Sequence, residues 1–209
     1  MNLEDVDLIR SAVLVIDVQN DYCHEDGVAA HAGKNITFLQ QVAPRILGFL
    51  EQIRKFGIPI VHIHNEHSDW TISPSWRKRH SPNPEPNTPC QVGSWGAEFY
   101  KVIPEDSEYI IAKHRYSAFI NTDLDLVLRS IGIKTIILTG IETNVCVEST
   151  ARHGFMKDYY VVLLEDCVAA KGTAEHEATL FNIRNYFGAV TSSQKLIQAW
   201  QDIKKIPSA

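Results

Sequence analysis

Three residues of this chain have types that do chemistry together, and each follows an apolar run. Cys146 lies in GIETNVCVESTARHGF, between TIILT and a segment whose Val147, Ala151 and Phe155 recur at helical spacing. A cysteine at such a strand-to-helix junction meets unpaired backbone N–H groups and the positive end of a helix dipole, which favour thiolate over thiol. Asp17 ends the apolar run of AVLVIDVQNDY, and Lys113 ends that of YIIAKHRYSAF. A carboxylate can accept the thiol proton, and an ammonium can stabilise both carboxylate and nascent thiolate, so the trio makes an activated nucleophile without a histidine. Taken singly, a cysteine is a small buried hydrophobe, an aspartate after a strand caps a turn, and a lysine at a strand end is a solvated edge charge. Their coincidence at strand ends points to catalysis.

The elements that must position them are legible as alternating patterns. Apolar runs at Ala12–Val18, Pro59–His64, Tyr109–Ala112, Thr135–Thr139, Tyr160–Leu164 and Ala189–Thr191 suit strands covered on both faces. Between them, helical spacing covers Phe38–Phe56, Leu124–Ile131, Val147–Met156, Ala174–Phe187 and Gln194–Trp200. This alternation predicts an α/β fold, a three-layer sandwich around a mostly parallel six-stranded sheet, in one domain spanning 1–209. Gly57 and Gly132 stand where helices end, and Asp123 and Ser193 where helices start. A long loop at about 65–104 holds three tryptophans and five prolines from Pro74 to Pro89, and so long a connection reads as a lid or pocket wall. Ligands of such sheets bind outside the carboxyl ends of the strands, where all three residues lie.

Composition narrows the partners. The 209 residues are 44% hydrophobic and 22% charged with a net charge of −5, which leaves no basic footprint for nucleic acid. The short basic stretch WRKRH, Trp76–His80, reads as a solvated loop. No apolar run is long enough for a membrane span, and MNLEDVDLIRSA has no basic region leading into an apolar core, so a cytoplasmic protein is expected. Cys23, Cys90, Cys146 and Cys167 are too scattered for a disulfide framework; Cys23 and Cys167 read as structural thiols.

The blocks VLVIDVQNDY, KHRYSAFINTDLDLVLRSIGI and TGIETNVCVESTARHGF resemble the signature blocks of the isochorismatase-like cysteine hydrolases, over nearly the whole chain. The resemblance implies a catalytic triad of Asp17, Lys113 and Cys146. It also implies a cis peptide between Ile141 and Glu142, with the backbone N–H groups of Glu142 and Cys146 serving a developing oxyanion. Within that family RYSAFINTDLDLVLRS, TNVCVESTARHGF, ATLFNIRNYFGAV and GSWGAEF are most similar to the ureidoacrylate amidohydrolase group, with biuret hydrolases and N-carbamoylsarcosine amidases more distant. A small amide or ureido substrate, no cofactor, and a homodimer or homotetramer are what the resemblance implies.

Around the triad, the amides of Gln19 and Asn20 can orient a planar ureido group, and Tyr116, Phe119 and Asn121 can wall the pocket. Glu66 and His67 resemble a pocket-edge pair of carbamoyl-cleaving relatives, and Trp70 or Trp95 can cover a small substrate. A substrate carboxylate needs a cation, for which Arg77, Arg79 and Arg115 are available. His62 and His64 share one face of a strand, but the Asp-x-His element of metal-dependent nicotinamidases is replaced here by His64-Asn65-Glu66, so no metal is expected. The first turn, Asp17-Val18-Gln19-Asn20-Asp21, lacks the glycines of a dinucleotide site. Isochorismatases proper generally lack the nucleophilic cysteine, so the remaining alternatives are another small-amide hydrolase or an inactive binding domain.

Overall fold

The computed structural model describes residues 3–5, 7–80 and 88–205; Pro82, Pro84 and Pro86 of the long loop lie outside the described residues. Six strands form one sheet: β1 (Ser11–Ile16), β2 (Ile60–Asn65), β3 (Tyr109–Lys113), β4 (Thr135–Ile141), β5 (Tyr160–Ala169) and β6 (Ala189–Thr191). Their order is β3-β2-β1-β4-β5-β6, and every pairing is parallel. Parallel strands demand crossover connections, which hold the helices α1 (Asn20–Cys23), α2 (Val28–His31), α3 (Thr37–Ile53), α4 (Pro74–His80), α5 (Leu124–Ser130), α6 (Glu148–Met156) and α7 (Thr173–Asn182), while α8 (Ser193–Lys205) follows β6.

The sheet is buried on both sides because its side chains alternate between two cores. Val13 and Val15 of β1 face α3 and α8, packing with Ile46, Leu50, Ile53 and Trp200. Ala12, Leu14 and Ile16 face α5, α6 and α7, packing with Leu124, Leu128, Ala151 and Leu180. Removing each such Val, Leu or Ile side chain from water contributes about 1.5–3 kcal/mol, which is why the strands read as continuous apolar runs.

The chain winds outward from β1 through β2 to β3, then returns and winds the other way from β4. The crevice between the carboxyl ends of β1 and β4 is therefore the switch point where α/β sheets bind ligands. Gly140 makes it possible: with φ of +109°, a Cβ there would lie 2.1 Å from the Ile16 carbonyl oxygen, so only glycine lets β4 pass so close to β1.

Gly57 and Gly132 end their helices in the left-handed region, as their placement predicts. The helix starts differ from expectation. Asp123 makes no capping side-chain bond, and Thr122 Oγ1 instead receives the Leu124 N–H. Ser193 is the first residue of α8, with its N–H and hydroxyl both held by Asp166, and the Ser192 carbonyl and hydroxyl meet the following turn. WRKRH is not a loop: Pro74 opens α4, and its fixed φ suits a first helical turn.

Candidate active site

Asp17, Lys113 and Cys146 converge at the switch point. Asp17 is the first residue past β1, with φ of +56°; Lys113 ends β3; Cys146 lies in a π-helical turn, Thr143–Val147, that leads from β4 into α6. Lys113 Nζ lies 2.8 Å from Asp17 Oδ2 and 3.4 Å from Cys146 Sγ. The centre is buried, with Lys113 at 0%, Asp17 at 1% and Cys146 at 6% exposure. Such burial strengthens every electrostatic contact and makes an unpaired charge costly.

Two further groups satisfy the lysine. Its Nζ donates to the Asn65 side-chain oxygen at 2.8 Å and to the Arg115 carbonyl at 3.0 Å. Asn65 Nδ2 in turn donates to Asp17 Oδ2 at 3.0 Å and to the Tyr22 hydroxyl at 3.2 Å. Asn65 was missed as a site residue, although its place at the end of β2, level with Lys113, is the same strand-end signal that found the others. Thr150 ties the two halves together, accepting the Ala118 N–H and donating to the Cys146 carbonyl.

The electrostatics run against the helix-end effect that favours thiolate. Burial, then the Asp17 charge, push the Cys146 thiol above its ordinary range, and Lys113 opposes only part of this. Burial likewise raises the Asp17 carboxyl against the pull of Lys113. For Lys113 burial works against the charge, but Asp17 and Cys146 outweigh it and the net shift is upward. These shifts favour a protonated sulfur at Cys146 and a charged ammonium at Lys113. Asp17 Oδ1 is buried and has no hydrogen-bond partner among the described residues, so the carboxylate retains a free lone pair for a proton.

The peptide between Ile141 and Glu142 is cis. The N–H groups of Val145 and Val147 are both spent on the Glu142 carbonyl. Lys171 pairs with the Glu142 side chain, and Thr143 Oγ1 meets His176 Nδ1 at 3.1 Å, which fixes this turn to α7.

Several expected substrate contacts lie elsewhere. Gln19 is fully buried and spends its amide on the Asn65 N–H and on the Asn65 and Ala97 carbonyls, while Asn20 donates to the Trp95 carbonyl. Both pin the returning limb of the long loop. Trp70 is 97% exposed and covers nothing; the Trp95 ring packs edge-on against His24. Phe119 belongs to the core beside Tyr159, and Asn121 is an exposed turn residue with φ of +54°. Tyr116 does approach the site: burial, then the charge on Cys146, push its hydroxyl up.

His67 and Glu66 flank the same wall. The His67 ring lies 5.4 Å from that of Trp76, and the Glu66 carbonyl meets His114 Nδ1. His62 is committed to Glu108, which also takes Arg54 in a two-pronged pair. Among the described residues no group of three or more His, Cys, Asp or Glu could hold a metal, and no helix is long and apolar enough to cross a membrane.

The model of the isochorismatase domain matches residues 11–195. The chain belongs to the isochorismatase family. It is 34% identical to the ureidoacrylate amidohydrolase RutB of Methylobacterium radiotolerans, over 97% of this chain and 83% of that protein. It is 37% identical to the RutB of Caulobacter vibrioides, over 90% of each. Among solved structures, an isochorismatase-like hydrolase from Alkaliphilus metalliredigens superposes with a TM-score of 0.79 at 33% identity, covering 91% of this chain and 99% of that one. The family's sheet is the one described above, and membership agrees with the fold expected from the alternating pattern.

Proposed function

We propose that this family member is a cysteine-dependent amidohydrolase that cleaves a C–N bond of a small ureido or carbamoyl substrate resembling ureidoacrylate. The observation that carries the reading is the single ammonium of Lys113, in contact with both a buried carboxylate and a buried thiol. Relatives named ureidoacrylate amidohydrolase support the substrate class.

In the reaction, Asp17 takes the Cys146 proton as Sγ attacks the carbonyl carbon, so the thiolate forms only during attack. Lys113 offsets the negative charge that passes between Asp17 and the sulfur. The oxyanion is received by the backbone N–H groups of Glu142 and Cys146. Collapse expels the nitrogen, to which protonated Asp17 returns its proton, leaving a thioester or S-carbamoyl enzyme. Water then attacks with Asp17 again as base, and the thiol is regenerated. From ureidoacrylate the products are carbamate and aminoacrylate.

The test is turnover of ureidoacrylate, biuret, N-carbamoylsarcosine and nicotinamide by wild type and Cys146→Ala in parallel. Hydrolysis of a ureido substrate that vanishes in the variant is expected; equal activity in both proteins would remove Cys146 from the mechanism, and a preference for nicotinamide would replace the substrate.

A further inference from the structure

The basic stretch that begins with Trp76 forms part of α4, and α4 packs against the wall of the site. Trp76 sits 4.9 Å from the Tyr116 ring and 5.4 Å from the His67 ring, with the Arg115 guanidinium 5.3 Å over its face. Residues three apart on a helix share a face, so Arg79 lies on the Trp76 side of α4 and Arg77 does not. Tyr116, against which Trp76 packs, is the residue whose hydroxyl responds to Cys146, Glu142 and Lys113, and the charge of Arg79 acts on that same hydroxyl.

The other cations near the site are engaged. Arg77 faces Asp69 at 3.6 Å, and Arg115 donates to the Thr71 and His114 carbonyls while stacking on Trp76. Lys171 is paired with Glu142, and Lys113 is enclosed by Asp17, Asn65 and Cys146. Among the described residues Arg79 has no ion-pair or hydrogen-bond partner, and it is exposed.

We infer that Arg79 is the specificity-determining cation of this site: presented by α4 beside Trp76 and Tyr116, it receives the carboxylate of an anionic ureido acid whose carbonyl lies at Cys146. The inference rests on the proposed reaction and narrows its substrates from ureido compounds in general to those carrying a carboxylate a few bonds from the scissile carbonyl. The guanidinium fork matches a carboxylate with two parallel hydrogen bonds, which neither a neutral amide nor an ester can accept in the same way.

The deciding experiment is calorimetric titration of Cys146→Ala protein with 3-ureidopropionate and with its methyl ester, repeated in Cys146→Ala carrying Arg79→Gln or Arg79→Lys. The acid should bind at least about tenfold more tightly than the ester, Arg79→Gln should erase the difference, and Arg79→Lys should retain part of it. An acid preference that survives Arg79→Gln, or an acid that binds no better than its ester, overturns the assignment. Turnover by the wild type separates the two readings. If neither compound nor any other C–N substrate is hydrolysed while the Arg79-dependent acid preference is present, the reaction falls and the anion site stands. If acid and ester are hydrolysed with equal KM, the reaction stands and the anion site falls.

Discussion

Asn65 donates its side-chain N–H to Asp17 at 3.0 Å, on the same oxygen that takes the Lys113 ammonium. Its own carbonyl oxygen takes that ammonium as well, so one neutral amide fixes both charged groups at the distance the thiol needs. In the proposed reaction Asn65 acts as a positioning residue, and its neutrality matters as much as its geometry.

Replacing the amide by a carboxylate tests this. Asn65→Asp sets a second negative charge against Asp17, and two carboxylates sharing a site force one to hold its proton. The acid limb of the kcat/KM profile should move toward neutral pH, with activity at pH 7 reduced about 10²-fold. Asn65→Ala should also be slow but without the upward move of that limb. A profile of unchanged shape in Asn65→Asp would show that Asn65 does not govern the Asp17 proton.

Asp17 raises the thiol and, in the proposed reaction, receives its proton, so its removal should separate reactivity from catalysis. In Asp17→Asn the repulsion that helps hold Cys146 protonated is gone while Lys113 remains. Alkylation by iodoacetamide at pH 8 should therefore be faster than in wild type, while hydrolysis falls by about 10³-fold or more. Slower alkylation of the variant would mean that Asp17 stabilises the thiolate instead of opposing it.

A third expectation concerns stability. Burial lowers the folded-state pKa of His62 and of His64 from an unfolded value of 6.5. As pH drops through 6.5 the unfolded chain takes up protons that these folded histidines refuse, so their contribution to stability is present above that pH and is lost below it. Asp17, raised by burial, has the opposite sign, because its folded form gains the proton first. The melting temperature should fall between pH 7.5 and 5.5, and His62→Gln, which keeps a donor for Glu108, should flatten that fall. An identical slope in His62→Gln would remove His62 from the effect.

The sheet and its three strand-end residues were legible because their signals are local. Continuous apolar runs mark buried parallel strands, and Asp17, Lys113 and Cys146 each follow one. What was illegible depends on contacts distant in sequence. Gln19 looks like a substrate amide until Ala97 and Asn65 are seen to consume it, 78 and 46 residues away. Trp70, Trp76 and Trp95 are equivalent in composition, and only the fold turns Trp76 toward Tyr116 while leaving Trp70 in solvent. The upward push on the thiol was illegible for a related reason: a helix terminus is visible in sequence, whereas burial of the sulfur beside Asp17 is not.

The turn after β1 does two jobs in five residues. Asp17 supplies the base of the proposed reaction; Gln19, Asn20 and Asp21 grip Ala97, Trp95 and Cys90, and a Cβ on Gly96 would collide with the Asp21 carboxylate. The returning limb of the long connection is thereby part of the catalytic scaffold, while α4, on the outgoing limb, touches that turn through none of these bonds. Selection for new substrates has room to rework α4, changing which side chains greet the ligand, without dislodging the base. One connection thus divides into a limb under constraint and a limb free to diversify, a division that suits a family whose members act on different small molecules.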